Sequence, residues 1–204
     1  MPPPHPTTRG RPLRSGPSRP APRCSSIDGS GLLRIPDPSL VVLVGAAGAG
    51  KSTLAARHFA PSEILSSDAY REAISGDAGD QRATRLAFSI LHRELARRLA
   101  AGRLVVVDAT NVEIAARLAL VSRARAAGRP AVAIVLALPA AIVAARNAGR
   151  SARIVDQAVI DRHLRRLSAT LAGDGLSREG FAAVHILATP EELDALRIER
   201  VFRA

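Results

Sequence analysis

A glycine- and alanine-rich segment that ends in a lysine and two hydroxyl residues carries the clearest chemistry in the sequence. Residues 45–52 read GAAGAGKS and match the pattern G-x-x-x-x-G-K-[ST]. The apolar run LVVLV (40–44) precedes the segment, and a helical pattern over 51–59 follows it. A strand before and a helix after are the context that a phosphate-binding loop, or P-loop, requires. The sequence therefore predicts binding of a nucleoside triphosphate.

Each residue type in this loop suits one part of a triphosphate. Small residues let backbone N–H groups turn toward phosphate oxygens, and the helix N-terminus adds the positive end of its dipole. Lys51 is the only lysine among 29 lysines and arginines. We expect it to reach the β- and γ-phosphates, and we expect Ser52 to ligate Mg²⁺. The predicted nucleotide-binding residues of the loop are Gly45, Gly48, Ala49, Gly50, Lys51, Ser52 and Thr53.

Two aspartates at predicted strand ends are candidates for acid–base and metal chemistry. Asp68 follows EILSS (63–67), and Asp108 ends RLVVVD (103–108). Active sites of open α/β sheets lie at the carboxyl ends of the strands, so both carboxylates are expected near the P-loop. Asp68 is either a general base for an acceptor hydroxyl or a helix cap. Asp108 either supports Mg²⁺ through water, orients the acceptor, or is only a turn residue.

Three arginines are candidates for contacts with anionic groups. Arg71 lies one helical turn after Asp68, where it can hold an anionic group of the acceptor. Arg146 and Arg150 are four residues apart and are predicted to share a helix face. Such a face can form a lid that neutralises the transferring phosphoryl group and excludes water. A solvated basic face is the alternative, since the chain is rich in arginine.

Alternating strand and helix patterns predict the fold that positions these residues. Strand patterns continue with AVAIVLAL (131–138) and AAVHIL (182–187), and helical patterns separate the strands. We predict an α/β fold of the P-loop NTPase, kinase type, with a parallel sheet of about five strands, helices on both faces and a helical lid. The segments TNVE (110–113) and TPEE (189–192) predict capping boxes at two helix N-termini.

Composition limits the remaining possibilities. The chain is 47% apolar but 2% aromatic, which suits helices on a parallel sheet and argues against an aromatic-stacking RNA binder. The net charge of +11 favours polyanionic partners. No apolar run approaches the roughly 20 residues of a membrane span, so we expect a cytoplasmic protein without membrane contact. Residues 1–38, rich in Pro, Arg, Ser and Gly, are predicted to be a disordered tail, and 39–204 the kinase domain.

In combination, these motifs resemble the kinase domain of the bacterial polynucleotide kinase–phosphatase family. The resemblance extends from about residue 40 to residue 187, although alanine occupies P-loop positions where the family often has serine. The motifs that carry it are GAAGAGKST, SSDAYR, D-x-x-D-Q (Asp77, Asp80, Gln81), AFSILHRELARRLAAGRLVVVDATN, RNAGR and EGFAAVHIL.

The resemblance implies phosphorylation of 5′-hydroxyl ends of RNA or DNA with ATP and Mg²⁺. Asp68 then matches the general base, and Arg71 matches the residue that contacts the acceptor's 3′-phosphate. Arg146 and Arg150 match the lid arginines, and Asp108 matches the acid of the D-x-T-N motif. Lys51 and Ser52 match the P-loop lysine and its hydroxyl neighbour.

Two other functions use the same motifs. A small-molecule kinase acting on a sugar, antibiotic or nucleotide-sugar hydroxyl would keep Lys51, Asp68 and the lid, but it would not depend on oligonucleotides. A nucleotide-binding regulatory or toxin–antitoxin-type module would bind ATP and leave Asp68 dispensable. The sequence does not predict the oligomeric state or a preference between RNA and DNA.

Overall fold

The structure is a computed structural model that describes residues 31–77, 82–150, 154–172 and 175–202, together with the backbone of 23–26. Within these ranges the strands are β1 (Arg23–Ser26), β2 (Leu32–Asp37), β3 (Leu40–Gly45), β4 (Ile64–Ser66), β5 (Val105–Asp108), β6 (Ala131–Leu136), β7 (Ala183–Leu187) and β8 (Arg197–Phe202). The α-helices there are α1 (Lys51–His58), α2 (Ser67–Ser75), α3 (Thr84–Ala100), α4 (Ile114–Ala126), α5 (Ala140–Ala148), α6 (Gln157–Leu171), α7 (Gly175–Arg178) and α8 (Pro190–Ala195).

A parallel sheet forms the centre of the molecule. Its strand order is β1-β7-β6-β3-β5-β4, and every neighbouring pair is parallel. Each residue of β3, β5 and β6 is buried, as expected for strands covered by helices on both faces. The predicted α/β fold of P-loop kinase type is confirmed. The five predicted strands are present, and β1 adds an edge strand that the sequence analysis did not predict.

Alternate residues of β3 supply two hydrophobic layers. Val42 belongs to a buried cluster with Leu91 of α3 and Leu120 of α4. Val41 belongs to a second cluster with Leu54 of α1. Because successive strand side chains point to opposite faces, the apolar run of β3 fills both layers at once. The central strand is therefore held from both sides, and its carboxyl end is fixed in space.

The predicted disorder of residues 32–37 is wrong, because Leu32–Asp37 forms a strand. This strand, β2, pairs in parallel with β8 in a second, two-stranded sheet. Leu33 and Ile35 are 1% and 0% exposed and join the cluster that contains Val41. The alternation is too short to stand out from its Pro- and Arg-rich surroundings. Residues 1–22 and 27–30 of the predicted tail lie outside the described residues.

The predicted helix cap at Thr110 is also wrong. Helix α4 begins at Ile114, with Glu113 at the N-cap position and no side-chain cap. The carbonyl of Thr110 instead accepts a hydrogen bond of 2.9 Å from the N–H of Gly45. Asn111 adopts a positive φ of 47°. The segment after β5 is therefore a corner bound to the end of β3 and not the first turn of a helix.

The second predicted capping box is confirmed. The Thr189 side chain accepts a hydrogen bond from the N–H of Glu192, and the Glu192 carboxylate accepts one from the N–H of Thr189. Pro190 takes the first helical position, where no N–H is needed. Among the described residues, no helix combines the length and the apolar character needed to cross a bilayer.

Truncation of Ile35 tests whether β2 belongs to the core. We expect Ile35→Ala to lower the free energy of unfolding by about 2–5 kcal/mol, because the side chain is fully buried. Arg34→Ala is the matched control, since its ion pair with Glu199 is exposed and contributes at most about 1 kcal/mol. Urea unfolding measures both variants. Equal, small losses would show that this strand is not part of the core.

Candidate active site

The loop between β3 and α1 is built for close approach of backbone to a ligand. Gly48 and Gly50 have φ values of 86° and 100°, a region that favours glycine. A Cβ on Gly48 would lie 3.1 Å from the carbonyl oxygen of Val143 in α5. A Cβ on Gly50 would lie 3.3 Å from Nη1 of Arg146. The small residues therefore let the loop, called the cradle below, pack closely against α5.

Lys51 is buried at the start of α1 and lies folded onto its own loop. Its Nζ donates hydrogen bonds to the carbonyl oxygens of Gly45 at 3.0 Å and Ala46 at 2.7 Å. Burial lowers the pKa of Lys51 to about 8, although the charges of Asp108 and Asp68 raise it. A compact ammonium on a flexible stem can make these contacts inside the loop, whereas a planar guanidinium is bulkier.

Asp108 lies at the carboxyl end of β5 and is only 6% exposed. The Ser52 hydroxyl lies near its carboxylate. Burial raises the pKa of Asp108, while the nearby Ser52 hydroxyl and the charge of Lys51 lower it. A hydroxyl and a carboxylate oxygen are the ligand types that Mg²⁺ takes, directly or through water.

This pair fits Mg²⁺ better than a metal that needs a full protein cage. Among the described residues, no group of three or more His, Cys, Asp and Glu could hold a metal ion. Mg²⁺ at phosphate sites uses one or two protein oxygens, waters and the phosphates of the substrate. Ser52 and Asp108 therefore suit a cation that is bound together with a nucleotide.

Asp68 and Arg71 form an ion pair at the start of α2. The N-cap of this helix is Ser66, whose hydroxyl accepts a hydrogen bond from the N–H of Ala69, so Asp68 is not the cap. The side chain of Asp68 is 57% exposed and that of Arg71 is 11% exposed. Ser66 pairs with Asp108 in the β4–β5 register, which places both aspartates at one sheet edge.

Both predicted lid arginines lie near the P-loop. Arg146, in the last turn of α5, donates a hydrogen bond of 3.2 Å to the carbonyl of Ala49. Arg150 is exposed just beyond α5, and its charge lowers the pKa of Lys51. Between them, the Asn147 amide binds both backbone groups of Val155. Both arginines follow β6, which lies on the other side of β3 from the strands that carry the aspartates.

The structure brings together most of the predicted site residues, and it also shows contacts that the sequence analysis missed. Thr53 lies exposed in the first turn of α1. His163 of α6 was not predicted; burial, and then the charges of Lys51 and Arg162, lower the pKa of its imidazole. No spacing in the sequence marks this histidine. Asp80 and Gln81 of the D-x-x-D-Q motif lie outside the described residues.

The chain belongs to the AAA domain family, whose model AAA_33 matches residues 40–172. The match begins with β3 and covers the P-loop, both aspartates and the lid arginines. Together with the fold, it identifies a P-loop protein of kinase type. Comparison with curated proteins found no match.

Three solved structures illustrate the range of proteins that share this fold. A chain of the Pnkp1/Rnl/Hen1 RNA repair complex matches with a TM-score of 0.58 and 23% identity, over 68% of this chain and 46% of that chain. A sugar kinase from Janibacter matches at 0.51 and 22%, over 76% and 90%. The PezAT toxin–antitoxin system of Streptococcus pneumoniae matches at 0.57 and 14%, over 74% and 67%. These likenesses show the fold alone.

The single lysine permits a direct test of the cradle's electrostatics. In protein labelled with ¹³C-lysine, we expect the one side-chain signal to titrate near pH 8 instead of 10.5. Asp108→Asn should move the midpoint of the Lys51 titration lower, because it removes a charge that raises this pKa.

The lowered pKa of Lys51 also predicts a pH dependence of stability. Between pH 8 and 10.5 the unfolded chain binds more protons than the folded chain, so the Lys51 contribution to the free energy of unfolding should rise across that window.

Urea unfolding of the wild type against Lys51→Met isolates this contribution at each pH. Arg103 is exposed just before β5, at the amino ends of the strands and away from the P-loop. Arg103→Ala is therefore the matched control for the NMR titration. A lysine midpoint near 10.5 in the folded wild type would contradict the burial of Lys51.

Proposed function

We propose that the protein transfers the γ-phosphate of ATP to the 5′-hydroxyl end of RNA or DNA. The observation that carries this proposal is the Asp68–Arg71 ion pair at the same sheet edge as the P-loop. An exposed carboxylate next to an arginine combines a proton acceptor with a phosphate-binding group. A polynucleotide end needs both, because its hydroxyl lies close to a backbone phosphate.

In the proposed reaction, Asp68 accepts the proton of the 5′-hydroxyl. The hydroxyl oxygen then bonds to the γ-phosphorus, the bond to the bridging oxygen of ATP breaks, and ADP leaves. Lys51 and Arg150 then stabilise the negative charge of the transferring group, a role supported by the electrostatic effect of Arg150 on Lys51. Arg71 holds a phosphate of the acceptor and so keeps the hydroxyl in line.

Mg²⁺ would be held by Ser52 and, through water, by Asp108. When bound, it neutralises charge on the β- and γ-phosphates. The proximity of the Ser52 hydroxyl to the Asp108 carboxylate supports this assignment, since it lowers the pKa of that carboxylate. The net charge of +11 supports a polyanionic acceptor, with binding that weakens as salt increases.

The central test is transfer of labelled γ-phosphate from ATP to short 5′-OH oligonucleotides, with RNA and DNA in parallel. We expect label on the 5′ end, and we expect Asp68→Asn to lower kcat by at least about 100-fold while ATP affinity stays within about twofold. Lys51→Ala should abolish transfer to any acceptor. Calorimetry measures ATP binding by the same preparations.

Each outcome of that test has a clear meaning. If ATP binds but no oligonucleotide accepts phosphate, the polynucleotide proposal fails, and a screen of sugars, antibiotics and nucleotide-sugars tests the small-molecule kinase instead. If Asp68→Asn transfers phosphate as fast as the wild type, Asp68 is not the base. ATP binding without transfer to any acceptor would favour the regulatory-module hypothesis.

Arg71 separates acceptor binding from nucleotide binding. We expect Arg71→Ala to raise the acceptor KM by about 10- to 100-fold and to leave the ATP KM within about twofold, because the lost contact is a charge-assisted bond to an acceptor phosphate. Steady-state kinetics with varied oligonucleotide, at low and high salt, measure the effect. Arg103→Ala removes the same charge at the amino ends of the strands, away from the P-loop, and equal KM increases in both variants would contradict the role of Arg71.

A further inference from the structure

Arg117 of α4 is a charged side chain that is completely buried, and it takes no part in the chemistry proposed above. Its Nε and Nη2 donate to the two carboxylate oxygens of Glu179 at 2.7 Å and 2.6 Å. A buried bidentate pair of this kind contributes little net stability compared with well-packed apolar side chains. Core stability alone therefore does not explain why the Arg117–Glu179 pair is buried here.

A third nitrogen of Arg117 connects the buried pair to the segment after β5. Its Nη1 donates to the backbone carbonyl of Asn111 at 2.9 Å. Asn111 holds the corner after β5 in a left-handed conformation, and its side-chain amide donates to the carbonyl of Leu43 at 2.8 Å. Leu43 lies two residues before the P-loop begins. Arg117 thus reaches the P-loop strand through one residue.

The corner takes the place of the strand ladder at the site. The register between β3 and β5 ends at the pair Val42–Val107. Beyond this pair, on the side of β3 that faces β5, the corner binds β3 through Asn111 to Leu43 and through Thr110 to Gly45. Asp108 lies between the last ladder pair and the corner, and on its other side it pairs with Ser66 of β4.

We propose that Arg117 is a positioning residue that, through the Asn111 corner, keeps Asp108 near Ser52 and Lys51. Glu179 keeps the guanidinium oriented, and Thr170 of α6 lies 3.5 Å from the same Nη2. The inference rests on the proposed phosphoryl transfer with Mg²⁺. The buried Arg117–Glu179 pair maintains the geometry of the metal and phosphate site. Loss of this pair therefore weakens the use of Mg²⁺ more than it weakens nucleotide affinity.

The double variant Arg117→Met/Glu179→Leu separates positioning from stability. Apolar side chains of similar volume can replace a buried ion pair without loss of stability, but they cannot bond the Asn111 carbonyl. We expect a thermal midpoint close to that of the wild type, a kcat at least about 10-fold lower, and a severalfold higher Mg²⁺ concentration for half-maximal activity. Ile35→Ala is the control: it is destabilised, yet it keeps the wild-type kcat and Mg²⁺ dependence below its melting temperature.

A double variant that is as active as the wild type, at the same Mg²⁺ concentration, would overturn the inference. If the double variant does not fold, Asn111→Ala replaces it, because this change breaks the bond to Leu43 and leaves the ion pair in place. Unchanged kcat and Mg²⁺ dependence in Asn111→Ala would also overturn it. If the wild type phosphorylates no acceptor, the proposed function fails. Calorimetry of ATP binding with and without Mg²⁺ then still tests the role of Arg117. The variants should lose the Mg²⁺ dependence of ATP binding that the wild type shows.

Discussion

The parallel direction of the central strands is the constraint on which the site depends. Because β3, β4 and β5 run the same way, their carboxyl ends meet at one edge, and the chain must leave each strand there. Three such exits carry the P-loop, the Asp68–Arg71 pair and Asp108. Helices on both faces bury every residue of β3, so the edge has little freedom to move.

Features that depend on neighbouring residues were predictable from the sequence, and features that depend on distant residues were not. The P-loop is a local pattern of eight residues, and strand ends mark Asp68 and Asp108 without any knowledge of the pairing. The β2–β8 sheet joins segments about 165 residues apart, and neither strand has the continuous apolar run that marks β3 and β6. Thr110 satisfied the capping pattern, but its carbonyl is used by Gly45, so tertiary contacts overrode the local preference.

The fold alone does not select an acceptor. Proteins that share it include a sugar kinase and components of RNA repair and toxin–antitoxin systems. What these proteins have in common with this chain is the fold. In the proposed function, the acceptor is selected at the β4–α2 exit, where Asp68 and Arg71 lie, and by the net positive charge of the chain.

The solitary lysine has a consequence for covalent chemistry. A primary amine reacts with acylating reagents and aldehydes only when it is deprotonated, and burial gives Lys51 a neutral fraction at mildly alkaline pH that an exposed lysine would not have. The 204 residues contain no other lysine, so the primary amines of the chain are the Lys51 ε-amino group and the α-amino group. Amine-directed reagents that carry a phosphate or nucleotide group would therefore modify at most one side chain, next to the P-loop and without any engineered cysteine.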